Sequence, residues 1–153
     1  MSLPGVRCFF SAALAILAVT ASAQPRGEVS LLGEGDDKTL HYWEVTRQKW
    51  AAQPKWLPSA AGSPPLPIAK AVELADAWLR TRHADVKQFA ITSITLRSQS
   101  SSGPGIVDGW FYRLEFQPVV AGRRLWGGQF VAVILFDGTV VDPRSEPYGA
   151  RRN

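Results

Sequence analysis

The residues best suited to chemistry in this sequence are its two histidines, His41 and His83, and a scatter of acids. No H-x-x-x-H or H-E-x-x-H motif and no cysteine pair accompanies them, so the spacing does not favour a metal site. A small hydrolase would have to use acids such as Asp85, Asp137 and Asp142. The serine cluster at residues 98–105 lacks a G-x-S-x-G elbow and is better explained as a polar loop. We therefore predict no enzyme activity, no metal and no cofactor.

A second group of side chains favours binding to a partner. Arg123, Arg124 and Trp126 lie close together in a predicted turn. Arginine and tryptophan are enriched among the residues that dominate the energy of protein interfaces, so these three are the predicted partner-binding residues. The alternative is a solvated hairpin loop whose Trp126 folds back on the sheet.

Residues 1–23 have the pattern of a signal peptide. Arg7 supplies the positive charge, residues 8–19 are apolar, and the small residues 21–23 form a cleavage site of the A-x-A kind. The alternative is an uncleaved membrane anchor, but an anchor needs about 20 apolar residues. We therefore predict cleavage after Ala23 and a periplasmic or secreted protein without a stable membrane anchor.

The charge and the cysteine content narrow the class of protein further. The formal net charge is only +4, and the basic residues are scattered along the chain. Proteins that bind nucleic acid usually concentrate positive charge on one face, so we predict no nucleic-acid partner. Cys8 is the only cysteine and would leave with the signal peptide, so the rest of the chain must fold on its hydrophobic core without disulfides.

The remaining chain divides by composition into five segments. These are a flexible N-terminus of the mature chain (24–38), a Trp-rich region (39–57), a Pro-rich linker (58–67), a helix with an antiparallel sheet (68–143) and a polar tail (144–153). The Trp-rich region is ambiguous. Its density of strand-forming residues favours a strand, whereas Leu40, Trp43 and Trp50 fall near helical spacing. Its tryptophans are better explained as core residues than as a ligand cage.

The segment 68–143 has the clearest patterns. Apolar residues recur at helical spacing from Ile68 to about Arg82, behind Pro67 at the helix start. Residues 89–97 follow as a strand in which a change of parity indicates a bulge. Residues 110–116 alternate, so that Trp110, Tyr112, Leu114 and Phe116 form an apolar face expected to cover the helix and the opposite face is mostly polar. Residues 130–136 are apolar throughout, and Asp137-Gly138 predicts a hairpin. The fold class is therefore α+β, with one amphipathic helix packed on an antiparallel β-meander.

This order of elements resembles the PepSY and PepSY-like family of small exported bacterial domains. The residues that carry the resemblance are IAKAVELADAWL (68–79), WFYRLEF (110–116) and VAVILFDGTVV (131–141). Cystatin-like folds, whose curved sheets also wrap a helix, would show the same order. The Trp-rich region and the GRRLWGG stretch at 122–128 are additions to the simple family pattern.

The resemblance implies a non-catalytic binding or inhibitory module of the cell envelope, whose partner is a protein; restraint of a protease is one role that it implies. The family has no catalytic signature, so no site residue is transferred to this chain. An alternative function is a small-ligand binder that uses the aromatic face of the sheet, with a cavity near Trp110, Tyr112 or Trp126.

Overall fold

The computed structural model describes residues 27–35, 38–60, 62–101, 107–124 and 129–147. The predicted signal peptide, its cleavage site and Trp126 lie outside these ranges. The helices are α1 (Arg47–Ala51) and α2 (Ile68–Arg82), with a 3-10 turn at Pro58–Ala60. The strands are β1 (Glu28–Gly35), β2 (Thr39–Thr46), β3 (Phe89–Ser100), β4 (Asp108–Val120), β5 (Arg123–Arg124), β6 (Phe130–Leu135), β7 (Val140–Val141) and β8 (Pro143–Pro147). None of the helices in the described ranges is long and apolar enough to cross a membrane.

The strands form two antiparallel sheets. The larger sheet has the order β3-β4-β6-β7, with β5 paired to the end of β4, and the smaller sheet has the order β1-β2-β8. All the strand pairs within the two sheets are antiparallel. The α+β class with an antiparallel sheet, predicted from the sequence, is confirmed.

Helix α2 packs on one face of the larger sheet. Ala71, Ala75 and Leu79, four residues apart, form its fully buried stripe, and this stripe contacts the apolar face of β4 that carries Tyr112 and Leu114. Pro67 occupies the N-cap in an extended conformation, and the missing proline N–H costs nothing at this end of a helix. The helix therefore begins and ends where the sequence pattern predicts.

The smaller sheet packs on the other face of the larger one. Its inner side chains Val29, Leu32, Trp43 and Val45 form a second core cluster with Phe111 and alternate residues of β6. This face of β4 is mostly polar, as predicted, but its one aromatic residue, Phe111, is buried under the smaller sheet. Strand β6 lies between the two clusters, since Val131, Val133 and Leu135 join one and Ala132 and Ile134 join the other.

Two segments predicted as tails are strands instead. Glu28–Gly35 lies within the predicted flexible N-terminus, and Pro143–Pro147 overlaps the predicted polar tail. Both pair with β2, one along each of its edges. They are ordered because docking on β2 buries the apolar residues of β1 and satisfies backbone hydrogen bonds on both sides of β2.

The ambiguous Trp-rich region contains both kinds of element. Thr39–Thr46 is strand β2, and the Thr46 side chain then accepts a hydrogen bond from the Lys49 amide to cap α1. Helix α1 places Trp50 in the core, where its side chain is completely buried and its indole N–H donates to the Val107 carbonyl oxygen at 2.9 Å. Because Thr46 ends the strand and caps the helix, neither the strand period nor the helical period extends over the whole region.

Candidate functional site

A cleft of about 440 Å³ opens where the inner face of the smaller sheet extends beyond the core. Three parts of the chain enclose it: the strands β1, β2 and β8, the C-terminal end of α2, and the start of β6. Its lining residues are Glu34, His41, Trp43, Trp78, Arg82, His83, Gln129, Phe130, Val131, Pro143 and Ser145. The volume lies in the range of pockets that hold small molecules.

One wall of the cleft is a polar row across the smaller sheet. The strand register places Glu34 beside His41 and His41 beside Ser145. Cross-strand neighbours point to the same face of a sheet, so the three side chains form a line. His41 Nδ1 shares a hydrogen bond of 2.8 Å with the Ser145 hydroxyl, and Glu34 accepts from the Arg113 guanidinium.

The same wall becomes apolar two residues deeper along each strand. There Leu32, Trp43 and Pro143 are register neighbours. Trp43 is 4% exposed, and its indole nitrogen is buried without a hydrogen-bond partner among the described residues. Trp43 thus belongs to the core, as predicted for the tryptophans of this region, and its side chain also lines the cleft.

The opposite wall is aromatic. The His83 ring lies 4.3 Å from the Phe130 ring, centroid to centroid, and Phe89 meets Phe130 edge-on at 5.5 Å. Trp78 stands beside them, with the Arg82 guanidinium 5.0 Å from its ring centroid. Flat apolar surfaces of this kind bind aromatic or other planar apolar groups of a ligand.

Asp142 connects this wall to the strands. It accepts a hydrogen bond from Trp78 Nε1 at 2.8 Å and forms an ion pair with Arg82 at 2.7 Å. Because Asp142 lies between β7 and β8, these contacts fasten the end of α2 to the crossing between the two sheets. Arg82 and Asp142 are both partly exposed, so the ion pair itself contributes little stability, whereas the hydrogen bond to Asp142 orients Trp78.

The structure brings both histidines to this one cleft, which the sequence did not predict. A serine nucleophile needs a base that is itself held by a third group. Glu34 lies next to His41 in register but holds Arg113, and no carboxylate in the described ranges hydrogen-bonds to His41. No group of three or more His, Cys, Asp or Glu side chains in those ranges is placed to hold a metal ion.

The other acids named as candidates have structural positions. Asp85 lies in the turn after α2. Asp137 lies in the predicted Asp-Gly hairpin, where its carboxylate accepts a hydrogen bond from the Thr139 amide and its own amide donates to the Gln53 side chain. Partial burial pushes the pKa of Asp137 up, but hydrogen bonds from Thr139 and Gln53 and the Lys49 charge outweigh it, so the pKa lies below its ordinary value.

The predicted partner-binding residues Arg123 and Arg124 form strand β5 and are exposed. The hairpin that presents them turns at Ala121 and Gly122, with φ of 50° and 75°. These two positive φ angles are those of a type I′ turn, whose twist matches paired strands. The third predicted residue, Trp126, lies outside the described residues.

On the predicted ligand surface of β4, Tyr112 is packed in the core and Trp110 is partly buried. Tyr112 is 1% exposed, its hydroxyl donates to the Leu66 carbonyl oxygen at 2.9 Å, and burial raises its pKa. Trp110 meets Trp56 edge-on at 5.3 Å. The aromatic cleft lies elsewhere, beside Trp78 and Phe130.

Sequence reasoning missed most of the residues of the cleft. The sequence pattern places Glu34 and Ser145 in tails, and it places Trp78, Arg82 and Phe130 in the helix and sheet without indicating a site. The two histidines were the one available signal, because the sequence marked both as chemically able residues. Comparison of the chain with protein-family models, with curated proteins and with solved structures found no match.

Proposed function

We propose that the protein is a non-catalytic binding module that holds its ligand in the aromatic cleft. The observation that carries this proposal is the pairing of two unlike walls across about 440 Å³, one with Trp78 and Phe130 and one with the polar row of His41 and Ser145. A few placed polar groups among apolar and aromatic surfaces are typical of a ligand pocket. The ligand class that fits is a compact molecule, or a side chain of a partner, with a planar apolar group and hydrogen-bonding groups on its other side.

We also propose a PepSY-like or cystatin-like relationship and a place in the cell envelope. The succession of α2, β3, β4, β6 and β7, with the helix on one sheet face, supports the relationship. The signal-peptide pattern of residues 1–23 supports export to the periplasm or beyond. The smaller sheet is an addition to that pattern, and it supplies one wall of the cleft. Restraint of a protease is the inhibitory role that the resemblance implies.

The experiment is a thermal-shift screen of the protein with a library of small aromatic compounds, followed by titration of each hit. Trp78→Phe removes part of the aromatic wall, and Trp56→Phe is the matched control because Trp56 does not line the cleft. We expect the hits to bind about tenfold more weakly to Trp78→Phe and unchanged to Trp56→Phe. A screen without hits, or equal weakening by both variants, would exclude the cleft as the ligand site.

A second candidate function is capture of a partner protein by the hairpin that carries Arg123 and Arg124. Both arginines are exposed and directly follow a turn of defined backbone geometry, which supports it. Joint replacement of Arg123, Arg124 and Trp126 by alanine is expected to abolish partner capture without lowering the midpoint of thermal unfolding. Capture retained by this variant would exclude the hairpin.

A further inference from the structure

Strand β3 is a long open edge. It has 12 residues, which is about 40 Å of extended chain, and among the described strands it pairs only with β4. An edge strand presents a row of unpaired N–H and C=O groups to any other extended chain, and proteins usually shorten, cover or charge such edges. In β3 a bulge between Ile91 and Ser93 interrupts the pairing, and residues 94–100 form the regular part.

The register shows which backbone groups of β3 are open. The Ser101 amide donates to the Val107 carbonyl oxygen across the hairpin, in the same register as the rest of the β3–β4 pair. Amide direction alternates along a strand, so the odd-numbered residues from Thr95 to Gln99 turn their amides toward β4. The amides and carbonyls of Ile94, Leu96, Ser98 and Ser100 therefore face the open edge.

In the middle of β3 the side chains that face the helix side are apolar, whereas Ser98 and Ser100 follow them on that side. Ile94 lies across from Leu114 and Leu96 across from Tyr112, and both β4 partners belong to the core under α2. Yet Ile94 is 39% exposed, because α2 lies over β4, β6 and β7. A strand added beside β3 would cover this residue with its own side chains, which must then be apolar on that face.

The charge of the edge indicates which side chains the added strand should carry on its other face. Arg97 is the only charged residue of β3 and forms no ion pair with any described residue. Lys87, just before the strand, is likewise without an ion pair in the described ranges. A second copy paired antiparallel about the centre of residues 94–100 would set Arg97 opposite Arg97, which is unfavourable. An acidic side chain opposite Arg97 is favourable.

From these observations we propose that β3 docks an extended segment of a partner protein by strand addition, with apolar side chains toward α2 and acidic side chains toward Arg97. This mode of recognition takes its affinity from main-chain hydrogen bonds and its specificity from alternate side chains. The site is separate from the cleft, and neither depends on the other.

The probe is a fluorescent peptide of the same length as residues 94–100, in which valine alternates with glutamate, compared with a peptide that alternates valine with lysine. We expect the glutamate peptide to bind at least about tenfold more tightly than the lysine peptide at low salt, because only it complements Arg97. Ser98→Pro removes one open-edge N–H and keeps the β4 ladder, since proline is tolerated on the solvent side of an edge strand. Ser98→Ala is the matched control that keeps the N–H.

We expect Ser98→Pro to weaken binding of the glutamate peptide about tenfold or more, with Ser98→Ala unchanged and both variants as stable to urea as the parent. Equal binding of both peptides, undiminished binding by Ser98→Pro, or no binding at millimolar peptide would each overturn the proposal. Self-association of the protein that Ser98→Pro abolishes would also overturn it, because the occupant would then be a second copy.

Discussion

Replacement of Gly109 by alanine tests how tightly the core around Trp50 is packed. A Cβ atom at Gly109 would lie 2.5, 2.7 and 2.9 Å from three atoms of the Trp50 ring. Contacts below 3 Å are inside the repulsive range, so one of the two groups must move. Trp50 is fully buried and tied to the Val107 carbonyl, and the backbone of Gly109 is paired with Gln99 of β3.

The expected sign follows from two opposing effects. Gly109 does not have a positive φ, so alanine would by itself stabilise the protein by about 0.4–1 kcal/mol, because it lowers the conformational entropy of the unfolded chain. Overpacking of a filled core costs about 1–3 kcal/mol, and here neither group can yield easily. We expect Gly109→Ala to lower the free energy of unfolding by about 2 kcal/mol and the thermal midpoint by roughly 5 °C.

The assay is urea unfolding followed by far-UV circular dichroism, with Gly33→Ala as control. Gly33 is also a strand glycine without positive φ, but its added Cβ would lie 3.8 Å from Tyr42, an ordinary contact. Gly33→Ala should therefore be neutral or slightly stabilising. The double variant Gly109→Ala/Trp50→Phe should recover part of the loss relative to the sum of the single variants. A Gly109→Ala protein as stable as Gly33→Ala would refute the packing argument.

Three further predictions concern turns and buried polar groups. Ala121→Asn should raise stability by about 0.5–1 kcal/mol, since asparagine accepts the positive φ of a type I′ turn better than alanine, and a lower thermal midpoint would contradict this. The pKa of Asp137 is lowered in the folded protein, so its carboxylate stabilises the fold above the unfolded pKa of about 4, and this stabilisation is lost as the pH falls through the folded pKa. In urea titrations from neutral to acid pH, the free energy of unfolding should therefore fall less in Asp137→Asn than in the parent. Identical pH profiles would exclude the effect. Tyr112→Phe should cost about 1 kcal/mol in urea unfolding, because the buried Leu66 carbonyl loses its donor, and an unchanged midpoint would show that another group supplies it.

Local patterns in the sequence were sufficient for the helix and most of the larger sheet. The 3.6-residue period and Pro67 define α2, and the strict alternation of β4 identifies the face under the helix. The change of parity between Ile91 and Ile94 predicted a bulge, and the structure has one between Ile91 and Ser93, which keeps both isoleucines on the helix side. These features are predictable because the residues that decide them are neighbours in the chain.

The smaller sheet could not be predicted in the same way. Strand β8 contains two prolines and two charged residues, and β1 contains two glycines and two glutamates, so their own strand propensity is low. They are strands because β2 offers an edge on each side and the larger sheet offers an apolar face to cover. That stabilisation comes from tertiary contacts, which override local propensity.

The sequence by itself determined the class of the fold, the position of α2, the order of the larger sheet and the turn at Asp137, since each depends on spacing within a short stretch. Only the tertiary structure decided the candidate site. Glu34, His41 and Ser145 become neighbours through the register of three strands, and Trp78 and His83 meet Phe130 through the packing of a helix end on a strand. Strand register and packing bring together residues up to about a hundred positions apart, and no local period in the sequence predicts which of them will be neighbours.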